Sequence, residues 1–283
     1  MGSSFLITLR EGLEASLVLA ILCGYLVKTD RRKMMGSVWT GAGAAAALCL
    51  VLGIIINAAV GGLNGKVEYA VEAFIALAAC CVLTWMVFWM RQHSRGLSGE
   101  LRAKVDAATS SSAIAVIAFV AVLREGLETV LFLISAESGS SSGAQVVIGG
   151  LVGLVISGIL GYLVFLGGNR VNLRKFFLFT GILLIFFAAG LAGKAVHEFR
   201  ELFGLEAADG WLVAPMWTIT SGIFASGSVY DFLKGLLGWT ANPEKIRVFT
   251  YVIYLVTTLT LFVRGERTPV ASSSGVTETP ASV

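Results

Sequence analysis

The sequence predicts an all-α polytopic membrane protein with seven transmembrane helices. Of its 283 residues, 56% are hydrophobic and only 14% are charged, whereas soluble domains carry about 25% charged residues. A helix needs about 20 mostly apolar residues to cross a bilayer, and seven segments meet that length. They lie at about 3–27, 36–60, 68–90, 112–136, 145–167, 174–196 and 246–264. This composition excludes an ordinary soluble enzyme or a nucleic-acid-binding domain.

Two connections between these helices are long, and the rest are short. Residues 91–111 form a polar, partly amphipathic link, in which Leu97, Leu101 and Val105 recur every four residues. We expect residues 1–264 to form one transmembrane domain, followed by a disordered cytoplasmic tail at 265–283, which is rich in Ser, Thr and Pro. Within that domain we expect a first repeat at about 3–90, a second repeat at about 112–196, an outer loop at about 197–245 and a seventh helix at about 246–264.

Basic residues set the expected orientation. Thirteen of them flank one set of helix ends: Lys28, Arg31, Arg32, Lys33, Arg91, Arg95, Arg102, Lys104, Arg170, Arg174, Lys175, Arg264 and Arg267. The short loops at the opposite ends carry only Lys66. Because cytoplasmic loops are enriched in Lys and Arg, we expect the N-terminus outside and the C-terminus in the cytoplasm.

One stretch of six residues occurs twice, letter for letter. Residues 9–14 read LREGLE, and residues 123–128 repeat them; we call them the first and second motif. Each motif places one arginine and two glutamates inside an apolar helix. One charge at the centre of a membrane helix costs about 3 kcal/mol on insertion scales. Duplication of so costly a pattern indicates a function.

The helices also repeat, in inverted orientation. The second motif lies three helices after the first, so the fourth helix runs opposite to the first. Small residues recur every four positions in the second and fifth helices, at Gly41, Ala45, Cys49 and Gly53 and at Gly149, Gly153, Ser157 and Gly161. Such ladders let helices approach closely. A 3+3 inverted repeat plus one C-terminal helix is an arrangement used by transporters, whose sites lie near the midplane.

The spacing within each motif places its charges on one helix face. The arginine and second glutamate are four residues apart and the two glutamates three apart, so all three are neighbours. If the first and fourth helices cross at the motifs, one volume receives Glu11, Glu14, Glu125 and Glu128, supported by Arg10 and Arg124. Oxygen ligands favour hard cations. The alternative is that each Arg–Glu pair only neutralises itself and fixes helix packing.

Further acidic residues lie outside the motifs. Glu72, on the third helix, is expected to face the pathway and to join the metal ligands. At the end of the sixth helix, His197, Glu198 and Glu201 are a possible outer receiving site, although an ordinary solvated helix end would have the same pattern.

With its duplicated Arg-Glu-Gly-Leu-Glu, the sequence resembles the oxidase-dependent iron permease family, which includes fungal high-affinity and bacterial iron permeases. The segments at 85–91 and 190–198 also look like bacterial members. The resemblance implies that the motif arginines and glutamates carry iron translocation and that Glu72 matches a further acidic position. Fungal members have an acidic motif in the outer loop, to which Glu198 and Glu201 are only an approximate match. The resemblance also implies a separate extracytoplasmic protein that oxidises or delivers iron.

We therefore expect a permease, not an enzyme, that moves iron across the plasma membrane into the cytoplasm, in bacteria the cytoplasmic membrane. Iron is its substrate, and we expect no permanently bound cofactor. Two alternatives stay open at this point. One is a transporter of another divalent cation, such as manganese or lead, and the other is a non-transporting membrane subunit for iron sensing or assembly. The lack of a GxxxxGK[ST] loop argues against ATP hydrolysis within this chain.

Overall fold

A computed structural model describes residues 2–93, 97–108, 110–137, 143–166, 173–206 and 210–264. This part of the chain is almost entirely helical. The elements are α1 (Gly2–Lys28), a 3₁₀ turn (Arg32–Met34), α2 (Met35–Gly61), α3 (Lys66–His93), α4 (Leu97–Ala107), α5 (Ser111–Glu137), α6 (Gly143–Phe165), α7 (Leu173–Phe203), α8 (Ser228–Leu237) and α9 (Lys245–Arg264). The predicted disordered tail and the side chains of Arg91, Arg95, Arg102, Arg170, Arg174, Lys175 and Arg267 lie outside the described residues.

Of the helices in these ranges, five are long and apolar enough to cross a membrane. They comprise Arg32–Gly61, Lys66–Met90, Val146–Leu163, Leu178–Phe203 and Lys245–Arg264. Helices α1 and α5 are 27 residues long, but each carries the three charges of a motif in its middle. The protein is thus an all-α protein with several membrane-spanning helices.

The long helices pack in pairs. The most extensive contacts join α1 to α6, α2 to α5, and α3 to α7; α9 packs on α7, and α1 also crosses α5. Side chains of α1, α3, α5, α7 and α9 build the larger hydrophobic core, around Leu83, Met86, Phe132 and Ile185. The α1–α5 crossing brings the two motifs into contact with each other.

A second hydrophobic core lies where α1 ends and α2 and α5 begin. It contains Leu22 and Leu26 of α1, and Leu101 and Val105 of α4 pack into it. The Arg31 guanidinium donates hydrogen bonds to two backbone carbonyls at the end of α4. The polar link at 91–111 is therefore partly a helix, with its apolar face buried as the four-residue spacing predicts.

Two boundaries differ from the sequence-based expectation. The predicted sixth helix was expected to end near residue 196, but α7 continues to Phe203, since nothing in the following residues breaks a helix. The region expected to be an outer loop contains the ten-residue helix α8. It ends at Gly238, whose φ of 67° favours glycine and closes the helix.

Residues 212–219 and 241–246 run side by side in opposite directions. Their backbones share hydrogen bonds, including Met216 N–H to the Pro243 carbonyl at 2.8 Å. Trp217 stacks on Trp239, with ring centroids 5.6 Å apart. Helix α8, which lies between these two segments in the chain, packs against α7 and the start of α1.

Candidate metal site

Three motif carboxylates converge where α1 crosses α5. Glu11, Glu14 and Glu125 each offer an oxygen, and these oxygens lie within 4.8 Å of one another. All three residues are buried. Oxygens on opposite sides of one small divalent ion lie about 4.2 Å apart, at ligand distances near 2.1 Å. Small side-chain rotations would therefore let all three bind one cation. We call these three residues the carboxylate site.

Arg10 holds the two carboxylates of its own motif. Its guanidinium lies 3.2 Å from Glu14 Oε1 and 3.5 Å from Glu11 Oε1. It also donates to the Sδ atom of Met86 on α3, at 3.1 Å. Because Arg10 is enclosed with both glutamates, it can orient them through charge-assisted hydrogen bonds.

Arg124 has a different environment, although its motif is identical. Its Nε lies 3.1 Å from Glu128 Oε1, and its guanidinium lies 4.6 Å from the Trp89 ring centroid and 5.8 Å from that of Trp85. Its side chain is 36% exposed, against 3% for Arg10. Arg124 thus pairs with Glu128, and the positive charge of Arg124 balances the negative charge of Glu128. This ion pair lies beside the carboxylate site.

Several carboxylate oxygens of the motifs have no hydrogen-bond partner among the described residues. Glu11, Glu125 and Glu128 each have a buried Oε2 of this kind. Buried polar atoms are ordinarily satisfied, and an unpaired buried carboxylate oxygen is costly. Unsatisfied oxygens that converge from two helices are what a transient cation ligand set requires.

The motif glycines let neighbouring helices reach the site. A Cβ atom on Gly12 would collide with Ser157 of α6, and one on Gly126 would collide with Cys49 of α2. The small-residue ladders therefore pack directly against the motifs.

Glu72 lies apart from the carboxylate site and has a cationic partner. Its Oε2 atom lies 3.0 Å from Nζ of Lys194 on α7, and both side chains are largely buried. Glu72 therefore pairs with a lysine in this structure, and its role as a metal ligand stays a prediction.

The predicted outer residues all lie in the last turns of α7. His197 donates from Nδ1 to Glu244 Oε1 at 2.8 Å, and Glu201 pairs with Arg200. Arg200 also lies 3.5 Å from Glu244 Oε1, while Glu198 is buried. The three residues are neighbours on one helix, but His197 and Glu201 have other partners.

Sequence reasoning missed Met86, Lys194 and Glu244. Lys194 carried a signal, because a lysine inside the apolar run of α7 has the same insertion cost that singled out the motifs. Met86 and Glu244 carried none, since their roles depend on which helix faces they meet.

These features define a class of protein. Buried carboxylates that meet from two membrane helices are typical of transporters, in which intramembrane acidic residues mark the pathway of an ion or a proton. Two comparisons identify the family. Residues 1–266 match the iron permease FTR1 family.

Curated relatives are similar over almost their entire length. The chain is 38% identical to the ferrous iron permease EfeU of Escherichia coli O6:K15:H31, over 96% of this chain and 99% of the relative. It is 36% identical to the ferrous iron permease EfeU of Yersinia pestis, over 95% of each chain. No solved structure matches.

The chain belongs to the iron permease FTR1 family. It is therefore a multi-pass protein of the cytoplasmic membrane that transports iron, and not an enzyme. This confirms the prediction of an iron permease made from the duplicated motif.

Proposed function

We propose that this permease moves ferrous iron inward through the carboxylate site, with Glu11, Glu14 and Glu125 as ligands. The observation that carries the proposal is the convergence of three buried carboxylates from two helices within 4.8 Å. The relatives from Escherichia coli and Yersinia pestis are ferrous iron permeases.

The charges of the site support a divalent cargo. With its carboxylates ionised, the site carries three negative charges, and Arg10 supplies one positive charge beside them. The remainder is −2, which a divalent ion balances. Glu128 and Arg124 neutralise each other, so they add nothing to this sum.

Equivalent contacts in the two halves support an inverted repeat. Gly12 and Gly126 are 114 positions apart and contact Ser157 and Cys49, which are 108 positions apart. Likewise Gly161 of the second half faces Ser16 of the first half, and the equivalent Gly53 of the first half faces Val130 of the second half. We propose seven spanning helices (α1, α2, α3, α5, α6, α7 and α9), with α1 and α5 as equivalent members of the two halves.

The proposed direction places the start of α1 outside the cell. The beginning of α1 and helix α8 lie at the same end, where Gly2 contacts Phe232 and Ser3 contacts Gly235. We propose that iron enters from this end past Glu72 and past the group His197, Glu198 and Glu201. A separate extracytoplasmic protein that delivers or oxidises iron is part of this proposal.

Uptake of radioactive ferrous iron into proteoliposomes tests the site. The samples are wild type, Glu125→Gln and the control Glu68→Gln, which makes the same change on α3 at a residue outside the site. Loss of one charged ligand should slow uptake at least about tenfold, equivalent to 1.4 kcal/mol, while the control stays near wild type. Manganese and zinc, added as competitors, measure selectivity.

The competing structural role of the motifs makes a different prediction. Folded Glu125→Gln protein with wild-type uptake would make the carboxylates packing groups and overturn the proposed site. Glu128→Gln should slow uptake less than Glu125→Gln, because Glu128 is already paired with Arg124.

A further inference from the structure

A small cavity with a basic lining lies between α5, α7, α8 and the start of α9. Its volume is about 50 Å³. Three cationic side chains line it from three different helices: Lys194, Lys234 and Arg247. No residue of the carboxylate site lines it. We call it the basic cavity.

The three cations are incompletely neutralised. Lys194 is paired with Glu72. Among the described residues, no carboxylate forms an ion pair with Lys234 or Arg247. Glu198, Glu244 and Asp231 lie in the surroundings, but none of them lines the basic cavity.

The pKa of Lys234 is affected by its burial and by the neighbouring cations. Burial, and then the positive charges of Arg247 and Lys194, lower the pKa of Lys234 below its ordinary value, although Asp231 acts in the opposite direction.

A hydroxyl group adds a second, independent feature. Ser135 of α5 lines the basic cavity, and its side-chain oxygen is buried with no hydrogen-bond partner in the described parts of the chain. Such a group ordinarily has a partner. A hydroxyl donor beside two ammonium groups and a guanidinium is a set of donors that an anion satisfies.

Closely packed glycine backbone forms part of the wall of the basic cavity, and the side chains of Phe187 and Leu191 form another part. A Cβ on Gly190 would lie 2.8 Å from the Cα of Gly238, and a Cβ on Gly193 would lie 3.2 Å from the Cγ of Arg247. The glycines therefore hold α8 and Arg247 tightly against α7. Lys194 is buried, whereas Lys234 and Arg247 are partly buried.

We propose that the basic cavity binds one small inorganic anion, of the size of chloride, bicarbonate or phosphate. A volume of 10–15 Å³ suffices for one water molecule, so about 50 Å³ accepts such an anion. Bound there, the anion contacts both unpaired cations and accepts a hydrogen bond from Ser135. It fixes the packing of α7, α8 and α9 next to the Glu72–Lys194 pair.

Thermal unfolding of the purified protein in lipid-free detergent tests the proposal. Sodium gluconate is exchanged at constant ionic strength for chloride, bicarbonate or phosphate. Wild type should show a saturable rise in Tm of about 2–4 °C with at least one of the three anions. Arg247→Gln and Lys234→Gln should lose this rise, whereas Lys245→Gln should keep it. Lys245 is a matched control, because it is near Arg247 in the chain but lies over Trp211.

The direction in which Lys234→Gln changes Tm in gluconate distinguishes an anion-binding site from a packing role of Lys234. In gluconate, Lys234→Gln should unfold at the same or a higher temperature than wild type, since it removes repulsion between cations. A lower Tm in gluconate together with an undiminished anion effect would overturn the proposal. So would equal shifts in all variants, which indicate a general salt effect.

A phospholipid headgroup offers the same phosphate chemistry as a free anion. The same measurement in gluconate with added phosphatidylglycerol distinguishes these sources. Stabilisation by an inorganic anion without lipid supports the proposal. Stabilisation by the lipid alone, lost in Arg247→Gln, would overturn the inorganic anion and assign the basic cavity to a headgroup.

Discussion

The Arg124 guanidinium lies over the ring of Trp89, 4.6 Å from its centroid. Arg10, the equivalent residue of the first motif, contacts the sulfur atom of Met86 on the same helix. Two identical stretches of sequence therefore have different environments. Helix α3 creates the difference, because it presents a thioether to one motif and indole rings to the other.

We expect the two arginines to contribute unequally to stability. Arg10→Gln leaves Glu11 and Glu14 buried without a cation, and breaking a buried ion pair costs about 3–5 kcal/mol. Arg124→Gln leaves one buried carboxylate, Glu128, without its cation, and since the Arg124 side chain is 36% exposed, its loss should lower stability less than the loss of Arg10. Thermal unfolding in detergent measures both. Equal losses of Tm in the two variants would contradict the inference that the more deeply buried arginine contributes more to stability.

The motif glycines predict a second pair of effects. Gly12→Ala and Gly126→Ala should lower Tm and slow iron uptake, because the added methyl group collides with Ser157 or Cys49. Gly24→Ala on α1 and Gly43→Ala on α2 are matched controls, since nothing lies within 4 Å of either position. In a helix, alanine is more stable than glycine by about 0.5–1 kcal/mol, so the controls should be neutral or stabilising.

Compensating changes test the same contacts. Ser157→Gly should restore Gly12→Ala, and Cys49→Gly should restore Gly126→Ala. Crossed combinations, such as Gly12→Ala with Cys49→Gly, should not. Rescue by the crossed combination would show that the loss arises elsewhere than in the contacts described.

Much of this architecture could be predicted from the sequence. Apolar length located every long helix to within a few residues, apart from the end of α7. The duplicated motif and its spacing predicted that Glu11, Glu14, Glu125 and Glu128 converge between α1 and α5. Oxygens of the first three lie within 4.8 Å of one another, and the role of the four as metal ligands stays a prediction. These predictions succeeded because they depend on local periodicity and on the high cost of charges in apolar surroundings.

The remaining features depend on how the helices are rotated against each other. Nothing in the neighbourhood of Glu72 reveals that Lys194, 122 residues later, lies 3.0 Å away. Nor does the sequence distinguish Arg10 from Arg124. Such contacts require the relative position of α3 and α7, which a single sequence does not specify.

The Glu72–Lys194 pair gives a third prediction. Glu72→Gln and Lys194→Gln should each lower Tm, because each leaves the other charge buried and unpaired. The double variant should be more stable than either single variant. If Glu72 acts only by pairing, the double variant should also recover iron uptake; uptake that stays low in a stable double variant would give Glu72 the direct role in translocation proposed above.

The last prediction concerns Glu244, which lies in the loop before α9 and accepts a hydrogen bond from His197. Burial by itself would raise the pKa of Glu244, but the hydrogen bond and charge of His197 and the charge of Arg200 outweigh it and lower this pKa from 4.5 to about 2.

A carboxyl group whose pKa is lowered by folding stabilises the folded state at every pH above its pKa in the unfolded chain. This stabilisation is lost as the pH falls through its pKa in the folded protein. Glu244→Gln should therefore lower Tm at pH 5, and the difference from wild type should shrink between about pH 4.5 and pH 2. Thermal unfolding of both proteins across this range measures it, with Glu206→Gln, a change at an exposed position, as the control for general acid effects. A difference that persists unchanged at pH 3 and below would show that Glu244 stabilises the end of α7 through packing and not through its charge.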